Sequence, residues 1–208
     1  MNIRTESKYL PYIILTSLWG FFYTLNLNTY PLSGSEPLRI FIARELTFPE
    51  GLFRSYFLGN IYLNKSPLYS SILKFINELS KLDYILSSRL VSSFLVLILV
   101  LTSYKLFYSY NKNASLNISI LILFTSSTLY FGRQSEIDFI SSGLIYLSLA
   151  IFIKSLKNCS TINAILIGIL MGIEFLIKTP FSISFVLIYY LLFEEKNKKN
   201  LFFISKIL

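Results

Sequence analysis

From Ala114 to Ile153 the chain is apolar except for one cluster, Gly132-Arg133-Gln134-Ser135-Glu136-Ile137-Asp138. As a single helix this stretch would run about 60 Å, twice the hydrocarbon thickness of a bilayer. The polar cluster therefore has to be a turn at a membrane surface, joining two spans. The same reasoning divides 162–193 at Lys178-Thr179-Pro180, because proline lacks an amide proton and restricts the residue before it. Applied along the whole chain, it marks apolar segments at approximately 9–27, 86–104, 114–131, 139–153, 162–177 and 180–193. The last three are short against the roughly 17–25 residues of a span. The expected fold is all-α: a polytopic transmembrane helix bundle of about six spans, forming one membrane domain over 1–208 with a tail from 194.

Composition agrees with lipid as the main solvent. Hydrophobic residues make up 54% and charged residues 14%, against about 25% charged in soluble domains; the mean hydropathy is +0.61. A net charge of +8 raises nucleic-acid binding as an alternative. The basic residues, however, stand singly between apolar blocks and form no stripe or patch. They read instead as markers of membrane edges and cytoplasmic loops, so lipid is the expected partner and nucleic acid is not. The single cysteine, Cys159, excludes an intrachain disulfide. The absence of histidine excludes His/Cys zinc sites and Ser-His or Cys-His nucleophiles. Arg4 and Lys8 before an apolar run resemble a secretory signal, but the run reaches Leu27 with no small-residue cleavage site, as in a retained first span.

Basic residues in short loops set the orientation. With the N-terminus cytoplasmic, the inner segments hold Arg4 and Lys8, Lys105 and Lys112, Lys154 and Lys157, and Lys196, Lys198 and Lys199. The long segment 28–85 then lies outside. It opens with the turn signal Pro31-Leu32-Ser33-Gly34. Glu36 to Leu46 reads as a short helix with Ser35 as its cap and Pro37 in its first turn. A Gly59-Asn60 turn follows, and Leu68 to Leu79 reads as a second helix. Both are expected to be amphipathic and to lie on the membrane surface.

This topology gathers Glu36, Lys65, Arg89, Arg133, Glu136, Asp138 and Lys178 at one membrane face. Glu174 and Lys178, one helical turn apart in an apolar stretch, are placed to pair. Carboxylates and cations facing a lipid surface suit sugar transfer from a polyprenyl phosphate. That reaction needs a carboxylate to deprotonate the acceptor hydroxyl and cations to hold the leaving phosphate. Neither task needs histidine or cysteine. A small permease or flippase would use similar residues, although it would also need a polar route to the inner face, where the spans carry almost no charge.

Several stretches resemble the C-superfamily glycosyltransferases. The nearer group is family 39 and its relatives: protein O-mannosyltransferases, the bacterial aminoarabinose transferase of lipid A, and domains known from rhizobial lipopolysaccharide galacturonosyltransferases. The matching text is Gly34-Ser35-Glu36-Pro37-Leu38-Arg39 with Ala43-Arg44-Glu45-Leu46, then Gly59 to Tyr69 through Asn64-Lys65-Ser66-Pro67. Ser88-Arg89-Leu90-Val91-Ser92, Gly132 to Asp138 and Phe175-Leu176-Ile177-Lys178-Thr179-Pro180 follow in the family's order.

The resemblance implies an inverting transferase acting on a polyprenyl-phosphate sugar at the outer face of a bacterial inner membrane, with a lipid, glycan or protein as acceptor. A divalent metal is compatible with this chemistry. Glu36 corresponds to the family's proposed catalytic base, although many members read Asp-Glu where this chain has Ser35-Glu36. Lys65 corresponds to the lysine that contacts the lipid phosphate, with Lys-Ser-Pro in place of Lys-Pro-Pro. Asp138 corresponds to the acid of the second outer loop, important for activity in relatives, and would assist catalysis or position the acceptor. Arg89, Arg133 and Lys178 correspond to basic positions that order phosphate or structure. The resemblance spans about residues 10–193, the first part of the family only, so a fragment, a truncated product or half of a split protein is expected.

Overall fold

The computed structural model describes residues 9–155, 160–178 and 181–193. Arg4, Lys8, Lys157, Cys159, the Thr179-Pro180 break and the tail from 194 lie outside these residues.

The chain is mostly helical. In order it forms α1 (Leu10–Thr24), α2 (Glu36–Glu45), strands β1 (Ser55–Phe57) and β2 (Asn60–Tyr62), α3 (Leu68–Ser80), α4 (Tyr84–Tyr108), α5 (Lys112–Leu123), α6 (Ser126–Phe131), α7 (Ile137–Ser155), α8 (Thr161–Ile177) and α9 (Phe181–Phe193). Among the described residues, three stretches are long and apolar enough to cross a membrane: Leu10–Thr29, Tyr84–Tyr108 and Ile137–Ser155. α8 is apolar but shorter.

Local chemistry sets the helix ends. Asp83 caps α4 by accepting from the Ile85 amide at 2.9 Å. Asn111 caps α5 by accepting from the amides of Asn113 and Ala114, both at 3.0 Å. Such caps satisfy amides that would otherwise have no partner in the first turn. The apolar segment expected over 114–131 is broken at Phe124-Thr125, where the Thr125 hydroxyl accepts from the Thr128 amide and starts α6. Thr125-Ser126-Ser127-Thr128 marks this break, but uncharged hydroxyls interrupt the apolar run too weakly to divide the expected segment.

The stretch between α1 and α4 contains an antiparallel hairpin that the all-α expectation lacks. Its strands pair Ser55 with Tyr62 and Phe57 with Asn60. The turn residues are Leu58 and Gly59, with φ of +52° and +74°, so the turn sits one residue earlier than Gly59-Asn60. Positive φ at both central positions is what a two-residue type I′ hairpin turn requires. Three-residue strands are too short for alternation to reveal.

α4 is the hub of the bundle. On one side Val96, Val100 and Tyr104 pack with Leu15 and Tyr23 of α1 and Leu123 of α5. On another, Leu95 and Leu99 join Ala43, Tyr69 and Leu73 of the loop helices, Ile137, Ile140 and Leu147 of α7, and Ile177 of α8. Ser87, Ser88, Ser92, Ser93 and Ser103 are all buried along α4. Small residues let neighbouring backbones approach closely in an apolar bundle, and here all of these except Ser92 also form hydrogen bonds. The Ser93 hydroxyl donates to the Tyr23 carbonyl at 3.0 Å, and the Trp19 indole donates to the Ser93 carbonyl at 2.7 Å. Outward-facing Phe94 and Ile98 on α4, with Ile165 and Ile169 on α8, leave an apolar exterior suited to lipid.

Candidate active site

Helix directions bring the C-terminal ends of α1 and α8 and the N-terminal ends of α4 and α7 to one end of the bundle, and the charged motifs meet there. Arg89, in the second turn of α4, is completely buried. Its Nε and one terminal nitrogen donate to the two carboxylate oxygens of Glu36, each at 2.8 Å. The remaining donors go to the carbonyls of Leu27, Tyr30 at 3.0 Å and Pro31 at 3.2 Å. All five guanidinium donors are thus used, in the fork geometry that only arginine offers. Arg89 binds the chain leaving α1 to the start of α2.

Glu36 is also fully buried. Besides Arg89 it accepts from the Ser135 amide at 3.1 Å. In return, Glu136 accepts from the Ser35 amide at 2.8 Å and the Ser35 hydroxyl at 2.7 Å. The Ser35 side chain, expected to cap α2, is therefore spent on Glu136, and α2 has no side-chain cap. The Ser33 hydroxyl donates to Gln134 at 2.9 Å. Tyr69 of α3 and Ser135 share a hydroxyl–hydroxyl bond of 2.7 Å. Gly34 makes the crossing physically feasible: its φ is +59°, and a Cβ placed there would lie 1.9 Å from Glu136 Oε1. Two motifs a hundred residues apart are laced together through alternate side chains.

Burial holds the Tyr69 phenol above its ordinary pKa of 10.0; its bond to Ser135 opposes this, and the charge of Glu36 adds to it. The phenol thus stays protonated and able to donate.

The other expected residues lie around this lacing. Asp138, in the first turn of α7, has a largely exposed side chain, and Lys178 Nζ lies 2.7 Å from its Oδ1. Lys178 therefore reaches across to α7, while buried Glu174 accepts from the Ser141 hydroxyl at 3.0 Å. Arg133 donates to the Leu25 carbonyl at 2.7 Å and lies 4.4 Å over the Tyr30 ring, which ties it to the end of α1. The side chain of Lys65, just before α3, forms no ion pair among the described residues. Glu36, the expected base, offers no exposed oxygen to an acceptor in this conformation.

Arg39 lies in the motif around Glu36 and reads from the sequence as a cation holding the surface helix to Glu45 or to lipid phosphates, outside the expected site residues. It is 4% exposed, and its Nε is buried with no hydrogen-bond partner. A buried guanidinium without an anion is costly, so this position is suited to a negatively charged ligand. The sequence shows it as a cation one turn after Glu36, but does not show its burial. Among the described residues, no group of three or more Asp, Glu, His or Cys side chains is placed to hold a metal ion.

An apolar helical bundle with a buried ion pair at one end defines an integral membrane protein with a polar site at its rim. The family model described as dolichyl-phosphate-mannose-protein mannosyltransferase matches residues 64–208. The chain belongs to this family of membrane glycosyltransferases within the C superfamily. Comparison with curated proteins and with solved structures gave no match. The Glu36 segment precedes the matched residues, yet its partners Arg89, Ser135 and Glu136 all lie inside them.

Proposed function

We propose that this protein transfers a sugar from a polyprenyl-phosphate donor to a lipid, glycan or protein acceptor at the outer face of a bacterial inner membrane. In this reading the chain forms about six spans with a cytoplasmic N-terminus. Asp138 takes the proton of the acceptor hydroxyl, whose oxygen forms the new bond to the anomeric carbon. The bond from that carbon to the phosphate oxygen breaks with inversion, and the polyprenyl phosphate leaves with the electron pair. Lys65 and Arg39 hold the leaving phosphate. Lys178 orients Asp138, and Arg133 keeps the end of α1 against the site. Glu36 and Arg89 act as the clamp that positions α2, and with it Arg39.

The observation that carries this reading is the division of labour among the carboxylates. Glu36 and Glu136 are consumed by internal partners, whereas Asp138 is exposed, and among the described residues Arg39 Nε has no partner and neither Arg39 nor Lys65 forms an ion pair. The test uses full-length chain in lipid nanodiscs with a panel of polyprenyl-phosphate sugars, following release of polyprenyl phosphate. Asp138→Asn should abolish release with donor binding retained. Arg39→Ala and Lys65→Ala should weaken binding of sugar-free polyprenyl phosphate. Wild-type turnover in Asp138→Asn would overturn the assignment of the base.

A further inference from the structure

At the opposite end of the bundle lies a cavity of about 450 Å³ between the C-terminal turns of α4 and α7 and the first turns of α8. Lys105 of α4 and Lys154 of α7 both line it, together with Thr102, Ser109, Ser155 and Asn163. Lys105 is sixteen residues beyond Arg89 on the same helix, which places it about 24 Å away along the axis. The cavity is therefore separate from the glycosyl-transfer site.

The charge pattern around it is one-sided. Every carboxylate among the described residues lies toward the other end; on the helices that form the cavity, Asp138 is in the first turn of α7 and Glu174 in the last turn of α8. Neither Lys105 nor Lys154 forms an ion pair among the described residues. Two like charges facing one cavity repel each other, which favours an anion between them. Hydroxyl and amide groups from Thr102 and Asn163 add neutral donors of the kind that complete a phosphate's hydrogen bonding. The cavity lies at the ends of α4 and α7, two helices long and apolar enough to cross a membrane, and the ends of such spans meet the headgroup layer.

We propose that this cavity binds the phosphate headgroup of an anionic phospholipid, with the acyl chains lying along the apolar surfaces of α7 and α8. Basic pockets between membrane helices are a recurrent solution for such headgroups. The lipid would join the ends of α4, α7 and α8 and fix the spacing of the helices that carry Arg89, Asp138 and Lys178 at the far end.

The test purifies the full chain in an uncharged detergent and titrates it with phosphatidylglycerol, phosphatidylcholine or soluble glycerol phosphate, reading retention by native mass spectrometry. Phosphatidylglycerol should be retained and the other two should not. Lys105→Gln with Lys154→Gln should weaken retention roughly thirtyfold, the worth of two cations near a charged surface. Each single change should give a smaller loss, and Lys→Arg at both positions should preserve binding. Lys112→Gln, at the same end but outside the cavity, should leave it intact. Equal retention of phosphatidylcholine, or an unaltered double Gln variant, would overturn the site. Glycerol phosphate binding as tightly as the lipid would overturn the lipid as its occupant.

Discussion

Glu36→Gln separates a positioning role for Glu36 from a basic one. The substitution keeps the shape of the side chain but removes the charge facing Arg89, which has no access to water. Removing one partner of a buried ion pair typically costs about 3–5 kcal/mol, because the other charge is left uncompensated. The structure points to the upper part of that range. Both contacts are 2.8 Å and charge-assisted, and the same guanidinium also satisfies the carbonyls of Leu27, Tyr30 and Pro31, so any shift of Arg89 exposes further unpaired groups. Against a total stability of about 5–15 kcal/mol this is a large fraction.

Thermal unfolding in detergent should therefore show Glu36→Gln strongly destabilised, with any transferase activity falling in step with the folded fraction. The double variant Glu36→Gln with Arg89→Met should recover much of the loss, since no buried charge remains. A Glu36→Gln protein that unfolds at the wild-type temperature yet transfers no sugar would refute this reasoning and restore Glu36 as the base.

Gly34→Ala should cost about 2–4 kcal/mol, because it combines a left-handed backbone with displacement of Glu136 from Ser35; circular dichroism melts would report it. Asp138→Asn should change stability by less than about 1 kcal/mol, since its pair with Lys178 is largely solvated, so a loss of activity there cannot be blamed on unfolding. Tyr69→Phe should cost about 1–2 kcal/mol through the orphaned Ser135 hydroxyl. Because burial raises the folded-state pKa of Tyr69, its contribution is complete below the ordinary value of 10.0 and is lost as pH rises through the higher folded value. The stability gap between wild type and Tyr69→Phe should accordingly be constant at neutral pH and narrow only above about pH 10.

Hydropathy along the chain was enough to locate α1, α4, α7, α8 and α9 to within a few residues, and to show that residues 132–138 had to leave the apolar layer. Those features depend on what neighbouring residues prefer as solvent, and neighbours are what a sequence lists. The motif residues were legible in the same way: Glu36, Arg89, Asp138 and Lys178 stand out as charges bounded by apolar text.

Their partnerships were not legible. Ser35 and Glu136 are 101 positions apart, and Glu36 and Arg89 are 53 apart. Nothing in either local stretch says which carboxylate will be enclosed and which will face outward. Glu36 and Asp138 look equivalent in the sequence, each an acidic residue in the first turn of a helix. Tertiary packing alone distinguishes them, because it closes α2 over the start of α4 and leaves the first turn of α7 at the rim. Burial likewise turned Arg39 from one surface cation among several into an unpaired charge at the site. Solvation is a property of the assembled bundle, and it decides which of several similar charges can do chemistry.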